Sequence, residues 1–153
     1  MIKPILLIAA MALAAGCSTR TGVQTLSLAT QGTLAQAGTL IGVSRAGSGL
    51  QPVLHSANLQ AAAQYHVDDL SRSGTFSHTG SGGSDVSDRV RRSGYDACFV
   101  AENIAQGQPN TSTTIDGWLN SPEHRANILN ANATQFGFAR TGDIWVLVMA
   151  RPC

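Results

Sequence analysis

Two imidazoles and one carboxylate stand in three short segments of a chain otherwise poor in charge. They are His78 in Phe76-Ser77-His78, Glu102 in Ala101-Glu102-Asn103-Ile104, and His124 in the run from Trp118 to Ile128. The chain has only two glutamates, Glu102 and Glu123, and both fall in these segments with two of the four histidines. Two neutral imidazoles and a carboxylate form a nitrogen and oxygen ligand set that suits zinc and similar borderline cations, with a fourth position open to water. The three residues lie far apart in sequence, so only tertiary folding can bring them together. Plainer roles exist for each. A histidine ahead of a Gly/Ser loop can fasten that loop, and Glu102 can pair with an arginine such as Arg89 or Arg125. Glu123 suits the free N–H groups of a helix N-terminus, where a negative charge is favourable by a few tenths to about 1 kcal/mol. His66 falls on a helical apolar stripe and reads as a core-edge residue, and His55 has no chemical partner in the sequence.

Other chemistries are missing their motifs. There is no His-Glu-x-x-His, no serine within Gly-x-Ser-x-Gly, and no Gly-x-x-x-x-Gly-Lys, since Lys3 is the only lysine. Cys98 could act as a nucleophile beside His78 or His124, but pairing with Cys153 would remove its thiol.

The elements that must position these groups can be read from pattern. A first helix is expected over Leu34 to Ala46, closed by Gly47-Ser48-Gly49 and weakened by Gly38 and Gly42. A second is expected from Ser56 as N-cap to Gly74, with Leu59, Ala62, Ala63, His66, Val67 and Leu70 on one stripe. Ser84 and Asp85 open a third, short helix that Gly94 closes. Tyr95 to Ala105 is rich in β-favouring residues and predicts a strand that presents Glu102. Thr111 to Leu119 predicts a helix, and Ser121 with Pro122 starts another that carries His124 in its first turn. Phe136 to Thr141 and Ile144 to Arg151 flank Gly142-Asp143, as in a β-hairpin. Phe76, Trp118, Phe136, Phe138 and Trp145 are too sparse for a sugar-stacking platform and are expected in the core. Helices before and between strands, with a closing hairpin, predict a single α+β domain of layered form.

The N-terminus reads as an export signal over residues 1–16, with Lys3, an apolar run from Ile5 to Leu13, and Ala14-Ala15-Gly16 before Cys17. The run is too short for a membrane span, which needs about 20 apolar residues. Small residues ahead of a cysteine resemble a bacterial lipobox, in which Cys17 becomes the acylated first residue of the mature protein. The alternative is cleavage after Ala12-Leu13-Ala14, giving a soluble periplasmic protein. With Cys17 acylated, Cys98 and Cys153 are left to pair in an oxidising compartment. Residues 17–32 then form a Ser/Thr/Gln-rich tether and residues 33–153 one folded domain. Without the signal, nine arginines face seven aspartates and two glutamates, which leaves no electrostatic footprint for nucleic acid. The partners expected are instead a membrane, through the lipid, and a small ligand or another envelope protein. Ser18 after the acylated cysteine, rather than aspartate, points to the outer membrane.

The segments "GTFSH", "AENIAQG" and "WLNSPEHRANIL", in this order and spacing, resemble the bacterial branch of the CAP superfamily, the cysteine-rich secretory proteins, antigen 5 and pathogenesis-related proteins. The resemblance runs from about Leu40 to Arg151. It implies a three-layer α-β-α sandwich with a central cleft, lined here by His78, Glu102 and His124, that holds a divalent cation (zinc, calcium or magnesium) in some members. Two departures stand out. Eukaryotic members carry a second glutamate shortly after the tryptophan, where this chain has Leu119, Asn120 and Ser121, and Glu123 replaces the usual glycine. The resemblance implies a binding module for a cation or a small lipid- or peptide-like ligand. The competing reading is a metal-assisted hydrolase acting on peptides or cell-wall material, with Glu102 as base; a purely structural envelope protein is a third.

Overall fold

A computed structural model describes residues 27–153. The signal, the lipidation site at Cys17 and most of the tether lie outside the described residues. The first helix, α1 (Leu28–Ala46), starts earlier than its apolar pattern suggests because Ser27 caps it, the Ser27 hydroxyl accepting from the Thr30 N–H. Gly38 is no flaw in this helix: a Cβ there would sit 3.1 Å from the Phe136 ring, so the glycine lets the helix approach the sheet closely.

Helix α2 (Ala57–Ser73) runs from the Ser56 cap to Gly74, which adopts the left-handed conformation at φ 68°. Helix α3 (Val86–Arg92) opens with a reciprocal cap between Asp85 and Asp88, and helix α4 (Thr111–Leu119) is capped by the Asn110 side chain. In helix α5 (Pro122–Ile128), Pro122 takes the first position as expected, but Ser121 makes no side-chain cap; its hydroxyl serves His124 instead.

Four strands form one mixed sheet in the order β1-β3-β4-β2: β1 (Leu54–His55), β2 (Ala97–Gln106), β3 (Gln135–Thr141) and β4 (Ile144–Pro152). Strand β1 lies parallel to β3, and the other two pairings are antiparallel. The β3–β4 hairpin turns on Gly142 and Asp143, and a positive φ of 62° at Gly142 alone marks the turn type in which glycine leads. Strand β4 is buried on both faces, which explains its unbroken apolar run. Trp145, Leu147 and Met149 face α1, α4 and α5, whereas Val146, Val148 and Ala150 face α2 and α3. Two apolar cores therefore sandwich the sheet, and the fold is the α+β layered domain expected.

Side chains finish the sheet where strands do not. Strand β1 pairs only as far as Phe136, and beyond it Gln60 Oε1 accepts the Phe138 N–H at 3.0 Å. The start of α2 passes so close to β3 that any Cβ on Gly137 would overlap the backbone of Leu59 and Gln60. On the opposite edge, the Trp118 indole donates to the Ile104 carbonyl at 3.2 Å and Asn127 donates to the Glu102 carbonyl at 3.2 Å. Arg45, fully buried, donates to the carbonyls of Gln51, Ile128, Asn130 and Ala133 and so ties α1 to the end of α5. A disulfide joins Cys98, at an irregularity in β2, to Cys153, with Cα atoms 4.8 Å apart.

Candidate functional site

Side chains alternate across a strand, so Glu102, opposite Val148, turns toward α2 and α3, while Asn103, opposite Leu147, turns toward α5. Glu102 is the hub. Its side chain is 2% exposed and would be costly to bury alone. Oε2 accepts from Arg89 Nη2 at 2.8 Å, Oε1 accepts from His78 Nδ1 at 2.9 Å, and His66 Nε2 stands 3.7 Å from Oε1. Arg89 comes from α3, so its ion pair with the carboxylate fastens that helix to the sheet, while His66 comes from α2 and stands beside the pair.

The segment around His78 is held from both ends. Arg89 donates to the carbonyls of His78 at 3.1 Å and Ser84 at 2.7 Å. Asp69 on α2 accepts from the Ser81 N–H and hydroxyl, and these bonds pull its carboxyl below the ordinary range. The loop from Thr79 to Gly83 is thus fixed by Asp69 and Arg89. His78 itself is free to act: its side chain is 59% exposed. Because Nδ1 donates to Glu102, Nε2 is the ring atom left to meet a ligand. The hydrogen bond to Glu102 raises the His78 pKa, with Coulombic help from the same carboxylate, against partial burial and Arg89. His66 behaves oppositely. Burial lowers its pKa, Arg89 adds to that, and Glu102 and the Ser77 carbonyl oppose it. It is a neutral, fully buried imidazole that donates from Nε2 to the Ser77 carbonyl at 3.1 Å.

His124 is positioned separately. Its Nδ1 shares a 2.8 Å hydrogen bond with Ser121 Oγ, and its carbonyl accepts from Asn103 at 3.0 Å. Asn127 donates to Asn103 Oδ1 at 2.8 Å, which locks α5 against β2. His124 lines an open groove of about 290 Å³ along the β2 edge with Phe76, Ile104, Gln106, Trp118 and Ser121.

Of the three residues singled out by sequence, the structure bonds His78 to Glu102, and Ser121 bonds His124. Both oxygens of Glu102 are engaged, and His78 presents Nδ1 to them. Among the described residues, no group of three His, Cys, Asp or Glu side chains is arranged to hold a metal ion. Glu102 serves as an orienting group, and Arg89, one of the two arginines considered for it, is its partner. Glu123 is exposed in the first turn of α5, as its helix-end role requires.

Some of the site was missed in the sequence. Phe76 was expected in the core and is instead 46% exposed on the groove wall. His66 and Arg89 are fully interior. A signal existed for Arg89, which shares the inward stripe of a short helix with Val86 and Val90; an arginine there needs a buried anion.

The profile of a known family, described as "CAP: Cysteine-rich secretory protein family", matches residues 40–144. The uncharacterised protein YkwD of Bacillus subtilis (strain 168) is 31% identical over 108 residues, 69% of this chain and 42% of that protein. The membrane protein YlbC of the same organism is 32% identical over 72 residues, covering 47% of this chain and 21% of that protein, so this chain spans less than half of either relative. Among solved structures, an extracellular protein containing a SCP domain from Bacillus anthracis str. Ames superposes with a TM-score of 0.77 at 25% identity, covering 80% of this chain and 41% of that one. An outer surface protein from Borrelia burgdorferi superposes with a TM-score of 0.74 at 22% identity over 81% of this chain and 96% of that one, a likeness of fold. The buried glutamate and the histidine it orients sit within the matched span, and the chain belongs to the CAP family of cysteine-rich secretory proteins.

Proposed function

We propose that this is an exported CAP-domain protein, lipid-anchored through Cys17 in the outer part of a bacterial cell envelope, that binds a small peptide- or lipid-like ligand in the β2 groove without turning it over. The observation that carries the binding reading is the exposed Phe76 ring on the groove wall. An aromatic ring left out of the domain's own core, beside the polar Gln106, Ser121 and His124, suits a ligand with an apolar part and hydrogen-bonding groups. Glu102 is better placed to hold His78 and Arg89 than to take a proton from water, which favours binding over hydrolysis. The export reading is supported by the extracellular and outer-surface descriptions of two structural relatives.

Titration of the domain with tripeptides and with short-chain lysolipids, followed by NMR, tests the groove. Saturable shifts at the amides of Gln106, Ser121 and His124, weakened severalfold by Phe76→Ala, are expected. No saturable change there with any probe rejects the groove as a binding site, and peptide cleavage during the titration favours the hydrolase. Mass spectrometry of the N-terminal peptide tests the anchor. A diacylated Cys17 is expected, and an unmodified Cys17 or a mature terminus elsewhere removes it.

A further inference from the structure

We infer that the groove along β2 takes its ligand as an extended peptide, bound through the main chain of Gln106 as a short added strand. The inference rests on the groove reading and decides between its peptide-like and lipid-like ligands. The ladder between β2 and β4 fixes which way the backbone faces. Gly107 donates to the Asp143 carbonyl at 2.9 Å, so these two form a bonded pair, and Gln106, Ile104 and Glu102, opposite Ile144, Val146 and Val148, turn their N–H and C=O groups away from β4. That direction is the groove side, because Trp118 on the groove wall reaches the Ile104 carbonyl from there. The carbonyls of Glu102 and Ile104 are taken by Asn127 and Trp118. Gln106, one step further along, is exposed, and among the described residues neither its N–H nor its C=O has a partner. A donor and an acceptor side by side on an edge strand match a residue of an extended chain, which presents the same pair. An acyl chain offers neither.

The α4 wall of the groove supplies a second, independent observation. Gly117 lies there in mid-helix, where glycine costs about 1 kcal/mol relative to alanine. Its φ is not positive, and a Cβ on it would meet nothing within 4 Å beyond its own stretch of helix. Neither backbone conformation nor close packing calls for glycine at this position; room for a chain lying in the groove does. Phe76, half-exposed on the groove wall, is left to one apolar side chain of that peptide.

The test uses acetyl-Ala-Leu-Ala-amide and lauroyl lysophosphatidylcholine as probes. At saturation the peptide should slow hydrogen exchange of the Gln106 amide at least about tenfold, as a new main-chain hydrogen bond requires, and the lysolipid should leave it unchanged. Among ester analogues that replace each peptide N–H in turn by oxygen, at least one should bind about fivefold more weakly, the loss expected for one hydrogen bond. Gly117→Leu, which suits the helix and fills the groove, should weaken the peptide at least about tenfold without lowering the melting temperature. If neither probe gives saturable NMR shifts in the groove, the groove reading fails and this inference with it. Saturable peptide binding with an unslowed Gln106 amide, ester analogues that all match the parent, undiminished binding to Gly117→Leu, or tighter binding of the lysolipid overturns the inference and leaves the groove reading standing.

Discussion

Two imidazoles that share one carboxylate are driven in opposite directions here. His78 has its pKa raised, so its contribution to stability is fully present below the ordinary value of about 6.5 and fades as pH rises through its folded value. His66 has its pKa lowered, so its contribution is present above about 6.5 and fades as pH falls through its folded value. The pair should place a maximum in urea-measured stability near pH 6.5, with His78→Gln flattening the alkaline limb and His66→Phe the acidic one. A profile whose limbs ignore both substitutions would contradict this. Glu102→Gln tests the hub itself. It leaves Arg89 buried without its anion and should cost about 3–5 kcal/mol, and at the same time return the NMR-measured His78 pKa toward its ordinary value. A stable variant with an unmoved His78 would show that Glu102 does not orient the ring.

Elements were legible where local chemistry settles them. Ser56 and Gly74 bracket α2, Asp85 opens α3, Pro122 starts α5 and Gly142 turns the final hairpin, because capping and turn residues act within a few positions. What could not be read depends on distant partners. Strand β1 has only two residues and exists because β3 lies beside it; no pattern of period two can appear in so short a run. The early start of α1 was hidden by Thr30-Gln31-Gly32-Thr33, which interrupt its apolar pattern. The seating of α5, and with it His124, on β2 depends on Asn103 and Asn127, whose amides carry no sign in sequence of whom they will bond. Gly137 is another such residue, unremarkable in a β pattern yet required where α2 crosses β3. Gly137→Ala should cost about 3 kcal/mol or more in urea unfolding, since the overlap is with backbone that cannot swing aside. A loss under about 1 kcal/mol would mean that α2 can lift away from the sheet.

For the whole molecule, the Cys98–Cys153 bond closes a loop of 55 residues, worth about 4 kcal/mol in the chain-entropy model. It joins the end of β4 to the start of β2, the edge strand that carries Glu102, so it braces the long pairing on which the site rests. Replacing both cysteines by serine should lower the melting temperature by about 5 °C or more, because even half that contribution is large for a domain of this size. An unchanged melting curve would show that the β2–β4 pairing needs no such brace. The outer edge of β2 has a different safeguard. A strand at the rim of a sheet offers its backbone to any other chain, and here the Trp118 indole and the Asn127 amide occupy the carbonyls of Ile104 and Glu102. Those two side chains therefore keep neighbouring molecules from stitching together sheet to sheet when many are crowded on one surface. Sedimentation of Trp118→Phe and Asn127→Ala together should reveal concentration-dependent self-association that the unaltered domain resists, and a strictly monomeric double variant would assign that protection to another feature of the edge.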